Sequence, residues 1–196
     1  LDIPPQNLTD KEKAANLTLK DKAVRNRIVS ENLKQAISSK PAPLYHKKFA
    51  SRIAVGNLED DLAKISTADW IIEVVIERLD IKQQVFEKID NYRKPGTLIT
   101  SNTSGIPIAA MSKGRSDDFQ EHFCGTHFFN PPRYMRLLEI VVGDKTRKDA
   151  VETVSDFCDV RLGKGVVTCK DTPGFIVNRL LVFLMRAFMH LGIKVT

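Results

Sequence analysis

The alternation of apolar and polar positions divides the chain into a helical arm and a longer stretch in which strand-like and helix-like segments take turns. Leu1-Asp2-Ile3-Pro4-Pro5 reads as the end of a strand entering a loop. Thr9-Asp10-Lys11-Glu12 offers a helix start with Thr9 as its cap. Val24, Ile28, Val29, Leu33, Ala36 and Ile37 recur at helical spacing until Lys40-Pro41-Ala42-Pro43 stops them. These features predict two helices forming a hairpin over about residues 9–40. From residue 53 the period changes. Residues 53–55 read as a short strand and 58–64 as a short helix. Trp70-Ile71-Ile72-Glu73-Val74-Val75 is a run of β-forming residues, the pattern of a parallel strand covered on both faces. An amphipathic helix is predicted over 79–93, ended by Pro95-Gly96. Strands follow at 97–101, 123–129, 137–142 and 166–169, with a short helix after the first and a helix over 147–162. A last helix runs from Pro173-Gly174 to about residue 191.

Strands alternating with helices of this length predict an α/β fold: a Rossmann-like, doubly wound, mostly parallel sheet with right-handed crossovers and the basic helical hairpin inserted in it. In such sheets ligands sit beyond the carboxyl ends of the strands. The polar clusters there are Ile76-Glu77-Arg78, Asn102-Thr103-Ser104-Gly105 and Asn130-Pro131-Pro132. The phosphate-cradling Gly-x-Gly-x-x-Gly turn does not occur, and the chain begins with Leu1 rather than Met. Asp2, at a strand end, has the chemistry to accept from the adenosine ribose hydroxyls and to repel a 2′-phosphate, which favours NAD over NADP. The expectation is therefore of a fold truncated at the N-terminus, with the first strand, the glycine turn and the first helix upstream.

The sharpest local feature is Thr126-His127-Phe128-Phe129-Asn130-Pro131. Histidine is the usual base near neutral pH and needs a partner that sets its tautomer. Glu139, inside Leu137-Leu138-Glu139-Ile140-Val141 on the next strand, is an acid among apolar neighbours that calls for such a partner. The pattern alone fits a catalytic pair and a structural ion pair equally.

Composition narrows the class. The chain has 196 residues, 42% hydrophobic and 28% charged, as in a soluble globular domain. Its three cysteines, Cys124, Cys158 and Cys169, lack metal-like spacing and fit free thiols in a reducing compartment. No apolar run reaches the ~20 residues of a membrane span. The net charge of +6 gathers in residues 11–52. That segment suits nucleic acid, an anionic membrane, a small polyanion or simply a solvated helical face.

Four motifs stand in order: Ser101-Asn102-Thr103-Ser104, His127-Phe128-Phe129-Asn130-Pro131, Leu138-Glu139-Ile140-Val141, and Lys170-Asp171-Thr172-Pro173-Gly174-Phe175-Ile176-Val177-Asn178-Arg179. Together with Glu77 and Lys82 they resemble the L-3-hydroxyacyl-CoA dehydrogenase family, over nearly the whole chain. The resemblance implies NAD-dependent oxidation of (S)-3-hydroxyacyl-CoA in fatty-acid β-oxidation. It casts His127 as the base, Glu139 as the carboxylate that orients it, and Ser104 and Asn178 as the groups holding the substrate oxygen. Asn130 would position substrate. Asp2 would bind ribose, and Glu77, Lys82, Asn102 and Ser104 would lie along the nicotinamide half. The hairpin would serve the CoA phosphates, with Asn32 and Lys40 near the relevant positions although the residues there depart from the family's usual ones. No metal is called for.

The resemblance further implies an NAD-binding domain over 1–172 and the first helix of a helical C-terminal domain over 173–196. The parent enzyme would be a homodimer or part of a multifunctional protein, in the cytoplasm or the mitochondrial matrix, without nucleic-acid or membrane partners. Two other readings stay open: a non-catalytic fragment or binding module, and a related hydroxy-acid dehydrogenase on the same scaffold. His46 and His122 read as surface or packing residues, Trp70 as core, and Cys169 as an inert strand thiol.

Overall fold

The computed structural model of the chain describes residues 1–191. Three short helices form the N-terminal arm: α1 (Asp10–Ala14), α2 (Lys22–Arg25) and α3 (Arg27–Ser38). The expected cap is present. The Thr9 side chain accepts from the Glu12 N–H while the Glu12 carboxylate accepts from the Thr9 N–H, a reciprocal capping box. The expected two-helix hairpin is replaced by three pieces. Asn16 takes a left-handed φ of +54° and ends α1, a conformation asparagine tolerates. Asn26 leaves helical geometry between α2 and α3, and its side-chain oxygen accepts from the Asn57 amide. The arm is pinned to the loop after residue 56. The Arg25 guanidinium holds Asp60 at 2.5 and 2.9 Å and Glu59 at 2.7 Å, a planar fork meeting two carboxylates. Arg27 ties α3 back to Glu12.

The strand expected at 53–55 does not form. Ile53 is exposed, and the nearest pairing is one parallel bridge between Asp2 and Asn57, beyond the segment. A lone bridge cannot sustain a ladder. The helix expected at 58–64 is displaced to a 3₁₀ turn, Leu62–Thr67.

Beyond it a five-stranded sheet carries the rest of the molecule. Its strands are β1 (Trp70–Glu73), β2 (Leu98–Ser101), β3 (Phe123–Phe128), β4 (Leu137–Val142) and β5 (Gly165–Lys170), in that spatial order. β1, β2 and β3 are parallel, β4 runs antiparallel to β3, and β5 is parallel to β4. Connection length explains the reversal. α4 (Leu79–Tyr92) links β1 to β2, α5 (Ile108–Ser112) and α6 (Asp117–Glu121) link β2 to β3, and α7 (Lys148–Asp156) with a wider helical turn at Phe157–Arg161 links β4 to β5. Each of these can cross over, whereas the short loop 129–136 between β3 and β4 can only turn the chain back.

Side chains alternate across the sheet. Ile99, Phe123 and Val141 face a core with Phe86, Ile89, Met111 and Phe119 from α4, α5 and α6. Cys124, Leu138 and Ile140 face the opposite side, against Val154 of α7 and Cys158. Gly125 is required where α5 approaches β3, because a Cβ there would lie 2.9 Å from both Ile108 and Val141 side chains. Trp70 is half-buried beside the second core. Its indole N–H donates to Thr100 at 3.0 Å, and its ring meets Phe157 edge-on. The last helix, α8 (Val177–His190), leaves the sheet with Leu180, Leu181, Phe183 and Met185 all exposed. The remaining residues of the expected second unit, 192–196, lie outside the described residues.

Candidate active site

The β3–β4 register sets His127 directly opposite Glu139. Cross-strand neighbours point to the same face, so the side chains meet: His127 Nδ1 lies 2.7 Å from Glu139 Oε2. Both are enclosed, with 6% and 1% of their surfaces exposed. The second carboxylate oxygen accepts from two backbone N–H groups where α8 begins, Ile176 at 3.0 Å and Val177 at 2.9 Å. Those N–H groups have no partner inside the helix, and the positive end of its dipole favours an anion there. A carboxylate only accepts, so the imidazole proton is assigned to Nδ1. Nε2 then carries the free lone pair and has no hydrogen-bond partner among the described residues. The rings of Phe129 and Phe175, with centroids 4.5 and 5.7 Å from that of the imidazole, hold its orientation.

The segment 171–178 closes the site from β5. Asp171 accepts from the Ile108 and Ala109 N–H groups at 2.7 and 2.9 Å, anchoring the start of α5. Gly174 at φ +75° and Phe175 at φ +48° then swing the chain over. A positive φ is costly outside glycine, and here the burial of the Phe175 ring enforces it. The turn brings Asn178 Nδ2 to 2.8 Å from the backbone oxygen of Ser104. The base, the start of α8 and the β2 loop are thereby joined.

On the other side of the carboxyl edge, Glu77 accepts from the Thr103 hydroxyl and from the Ser104 N–H at 2.9 Å, with the Lys82 ammonium 3.3 Å away. Burial alone would raise its carboxyl pKa, but those hydrogen bonds and the lysine charge outweigh it and hold the value below the usual carboxylate range. Asn102 Oδ1 accepts from the Phe128 N–H at 3.0 Å and bridges β2 to β3. Lys82 is fully enclosed. Its ammonium meets both oxygens of Glu73 at 2.9 and 3.0 Å, and the Ser101 hydroxyl donates to the same carboxylate at 2.5 Å. Lys82 thus reaches the site only through Glu77 and Glu73. Asp2 accepts from Asn32 Nδ2 at 3.1 Å, which places Asn32 beside the acid expected to bind ribose. Lys40 and Asn130 are exposed, and neither side chain hydrogen-bonds to another site residue among the described residues.

The residues at the carboxyl edge fit the nicotinamide half of NAD. A carboxylate acceptor (Glu77), an amide nitrogen left over on Asn102 and the exposed hydroxyl of Ser104 stand beside the exposed apolar side chains of Val74 and Ile76. A ring bearing a carboxamide and a ribose diol needs that combination of donors, an acceptor and apolar surface. Glu73, Asp171 and Phe175 are site-building residues that the sequence reading did not single out. The signal for Glu73 was available, as an acid inside an apolar strand run. Cys169 lies close to this site but is a poor nucleophile. Burial, followed by the negative charges of Glu139 and Asp171, pushes its thiol up to about 11.

A doubly wound sheet with polar loops and a His–Glu pair at its carboxyl edge defines the class, that of dinucleotide-binding dehydrogenase domains. The chain matches the family "3-hydroxyacyl-CoA dehydrogenase, NAD binding domain" over residues 6–172, and it belongs to that family. It is 50% identical over 180 residues to a probable 3-hydroxyacyl-CoA dehydrogenase of Bacillus subtilis, covering 92% of this chain and 23% of the relative. It is 40% identical over 179 residues to a putative fatty acid oxidation complex trifunctional enzyme of Rickettsia felis, covering 91% of this chain and 25% of the relative. Among solved structures, (S)-3-hydroxybutyryl-CoA dehydrogenase PaaH1 from Ralstonia eutropha superposes with a TM-score of 0.68 at 28% identity, over 86% of this chain and 59% of that one. The chain thus spans about a quarter of the length of these two sequence relatives. No helix among the described residues is long and apolar enough to cross a membrane.

Proposed function

We propose that this chain forms the NAD-binding, base-carrying part of an enzyme that oxidises (S)-3-hydroxyacyl-CoA to 3-ketoacyl-CoA in fatty-acid β-oxidation. The observation that carries the reading is the enclosed His127–Glu139 pair, bonded through Nδ1 at 2.7 Å with Nε2 left free. NAD supplies the hydride acceptor. As the carbonyl forms, the 3-hydroxyl must lose its proton, and His127 Nε2 takes it. Glu139 faces the imidazolium so formed while the N–H groups of Ile176 and Val177 hold its other oxygen. A positioned base contributes about 10²–10⁴-fold to such a step.

In this reading Ser104 and Asn178 hold the substrate oxygen, and Asn130 positions the substrate. Asp2 receives the ribose hydroxyls with Asn32 orienting it. Glu77, Asn102 and Ser104 line the nicotinamide half, and Lys82 fixes Glu77 from behind. Residues 1–172 form the cofactor domain. Residues 173–196 open a helical domain, a reading supported by the apolar side chains that α8 exposes. A multifunctional parent is supported by the name of the Rickettsia relative, and a homodimer is the other assembly proposed. Three buried free thiols fit the cytoplasm or the mitochondrial matrix.

The test is NADH consumption, followed at 340 nm, with acetoacetyl-CoA and the full-length protein that contains this chain. Turnover that falls at least 100-fold in His127→Ala is expected. No turnover, or an unchanged rate in the variant, would overturn the reading.

A further inference from the structure

A lysine is enclosed beneath the loop that follows the candidate base. Lys164 immediately precedes β5, and its backbone is fixed on two sides. Its own N–H donates to Cys158 O at 3.0 Å, and the N–H of Gly165 donates to Arg136 O at 2.8 Å. From that fixed point the side chain runs inward with 5% of the residue exposed. Its ammonium donates to the backbone oxygens of Pro132 and, at 2.7 Å, of Met135. It also lies 5.9 Å from the centroid of the Phe128 ring. Among the described residues no carboxylate comes within ion-pair distance of it.

Burying an ammonium is costly, and carbonyls and a ring face compensate it less fully than a carboxylate would. A position that only had to fill space would be served by an apolar side chain of similar length. The charge therefore points to what it holds. Pro132 and Met135 belong to the loop 129–136, in which the N–H groups of Tyr134 and Met135 already meet Pro131 O at 2.9 and 3.0 Å. The turn is closed on itself, and Lys164 fastens it to the start of β5. Arg133 ties the outer side of the same loop to the irregular segment 42–45, whereas Lys164 is a tie to the sheet. The upstream limb of the loop carries Phe129, whose ring braces the His127 imidazole, and then Asn130.

We infer that Lys164 is a positioning residue for the reaction proposed above. Acting through Pro132 and Met135, it fixes the loop so that Asn130 is presented to the substrate beside His127. The inference rests on the dehydrogenase reading, which it deepens.

The test uses the full-length protein and steady-state turnover of acetoacetyl-CoA with NADH, with rates expressed per folded molecule. Lys164→Met keeps most of the stem and removes the ammonium. It should lower kcat/KM for acetoacetyl-CoA about tenfold to a hundredfold, the scale of a small misplacement at the reacting groups. The KM for NADH should be unchanged, because the cofactor residues stand on the β1 and β2 loops. Asn130→Ala should show the same split, and the double variant should be no worse than Asn130→Ala alone, since both changes remove one contribution. Additive losses, or a parallel rise in the KM for NADH, would mark Lys164 as general support for the fold and overturn the inference. Amide hydrogen exchange gives a readout independent of turnover: the N–H groups of Tyr134 and Met135 should exchange faster in Lys164→Met, and unchanged exchange overturns the hold. Should Lys164→Met not fold, Lys164→Gln, which keeps a shorter N–H donor, should show the same split to a smaller degree, and an undiminished kcat/KM in it overturns the inference. A wild type inert toward acetoacetyl-CoA would sink the dehydrogenase reading and this inference with it. A wild type that turns over while Lys164→Met is undiminished sinks this inference alone.

Discussion

Two buried carboxylates invite comparison. Glu73 and Glu139 each sit in a strand among apolar β-formers, at 3% and 1% exposure, and each is satisfied by donors on both oxygens. Glu73 is closed by Lys82, the Ser101 hydroxyl and the Val75 N–H. Its cation is enclosed with it and spends its remaining reach on Val75 O and Glu77. Glu139 is closed by two N–H groups and an imidazole. The imidazole differs from the ammonium in having a second nitrogen on the far side of the ring. One buried acid therefore ends in a sealed brace that holds the β1 and β2 loops, and the other ends in an open base. What separates a structural ion pair from a reactive one here is the spare valence of the partner.

The comparison can be broken in order of expected effect. His127→Ala should cut the turnover of the full-length enzyme about 10²–10⁴-fold in stopped-flow or steady-state assays, and its stability cost, from the lost bond to Glu139 and the cavity between Phe129 and Phe175, should be smaller than that of the Lys82 change below because no cation is removed. A large loss of stability with little loss of turnover would reverse the two roles. Lys82→Met should do the opposite in denaturant unfolding. It strands the Glu73 carboxylate without its cation and should cost about 3–5 kcal/mol. Adding Glu73→Leu to it should recover much of that loss, and failure to recover would show that the brace is not the pair. Ser101→Ala removes one donor to Glu73 and should cost about 1 kcal/mol by the same measurement.

The smallest effect concerns pH. Glu77's carboxyl is held below its ordinary value by Thr103, Ser104 and Lys82 against the opposing effect of burial. Its contribution is therefore complete above the unfolded value, near 4.5, and is lost as pH falls through the depressed folded value. Glu77→Gln should lower stability in the neutral region, where that contribution is complete, and flatten the acid limb so that variant and wild type converge at low pH. An acid limb identical to wild type would remove Glu77 from the ionised network.

Much of this was legible in the chain. The runs at 137–142 and 98–101 form strands because β-branched and other large apolar residues fill both sheet faces, and α4 ends beside Pro95-Gly96 as those residues require. His127 and Glu139 were readable as a candidate pair because one lies near a strand end and the other is an acid among apolar neighbours. Glu73 carries the same signature, but nothing local shows that a lysine nine positions later folds back onto it. The strand expected at 53–55 failed for the converse reason. Its β-formers have the right local preference, but a strand needs a partner ladder, and the only bridge nearby among the described residues is at Asn57, past its end.

Sequence alone determined the order of elements, the turn residues and the chemical types at the carboxyl edge, because these depend on side-chain periodicity and backbone preference over a few residues. Tertiary structure decided the rest. It placed His127 opposite Glu139 through a register that either strand alone leaves open, and it set the buried Phe175 at positive φ so that α8 could begin on a carboxylate. It also closed Lys82 on Glu73 and brought Lys164 beneath the loop 129–136. Each of these depends on distances between segments far apart in the chain, which burial, sheet pairing and loop closure establish together.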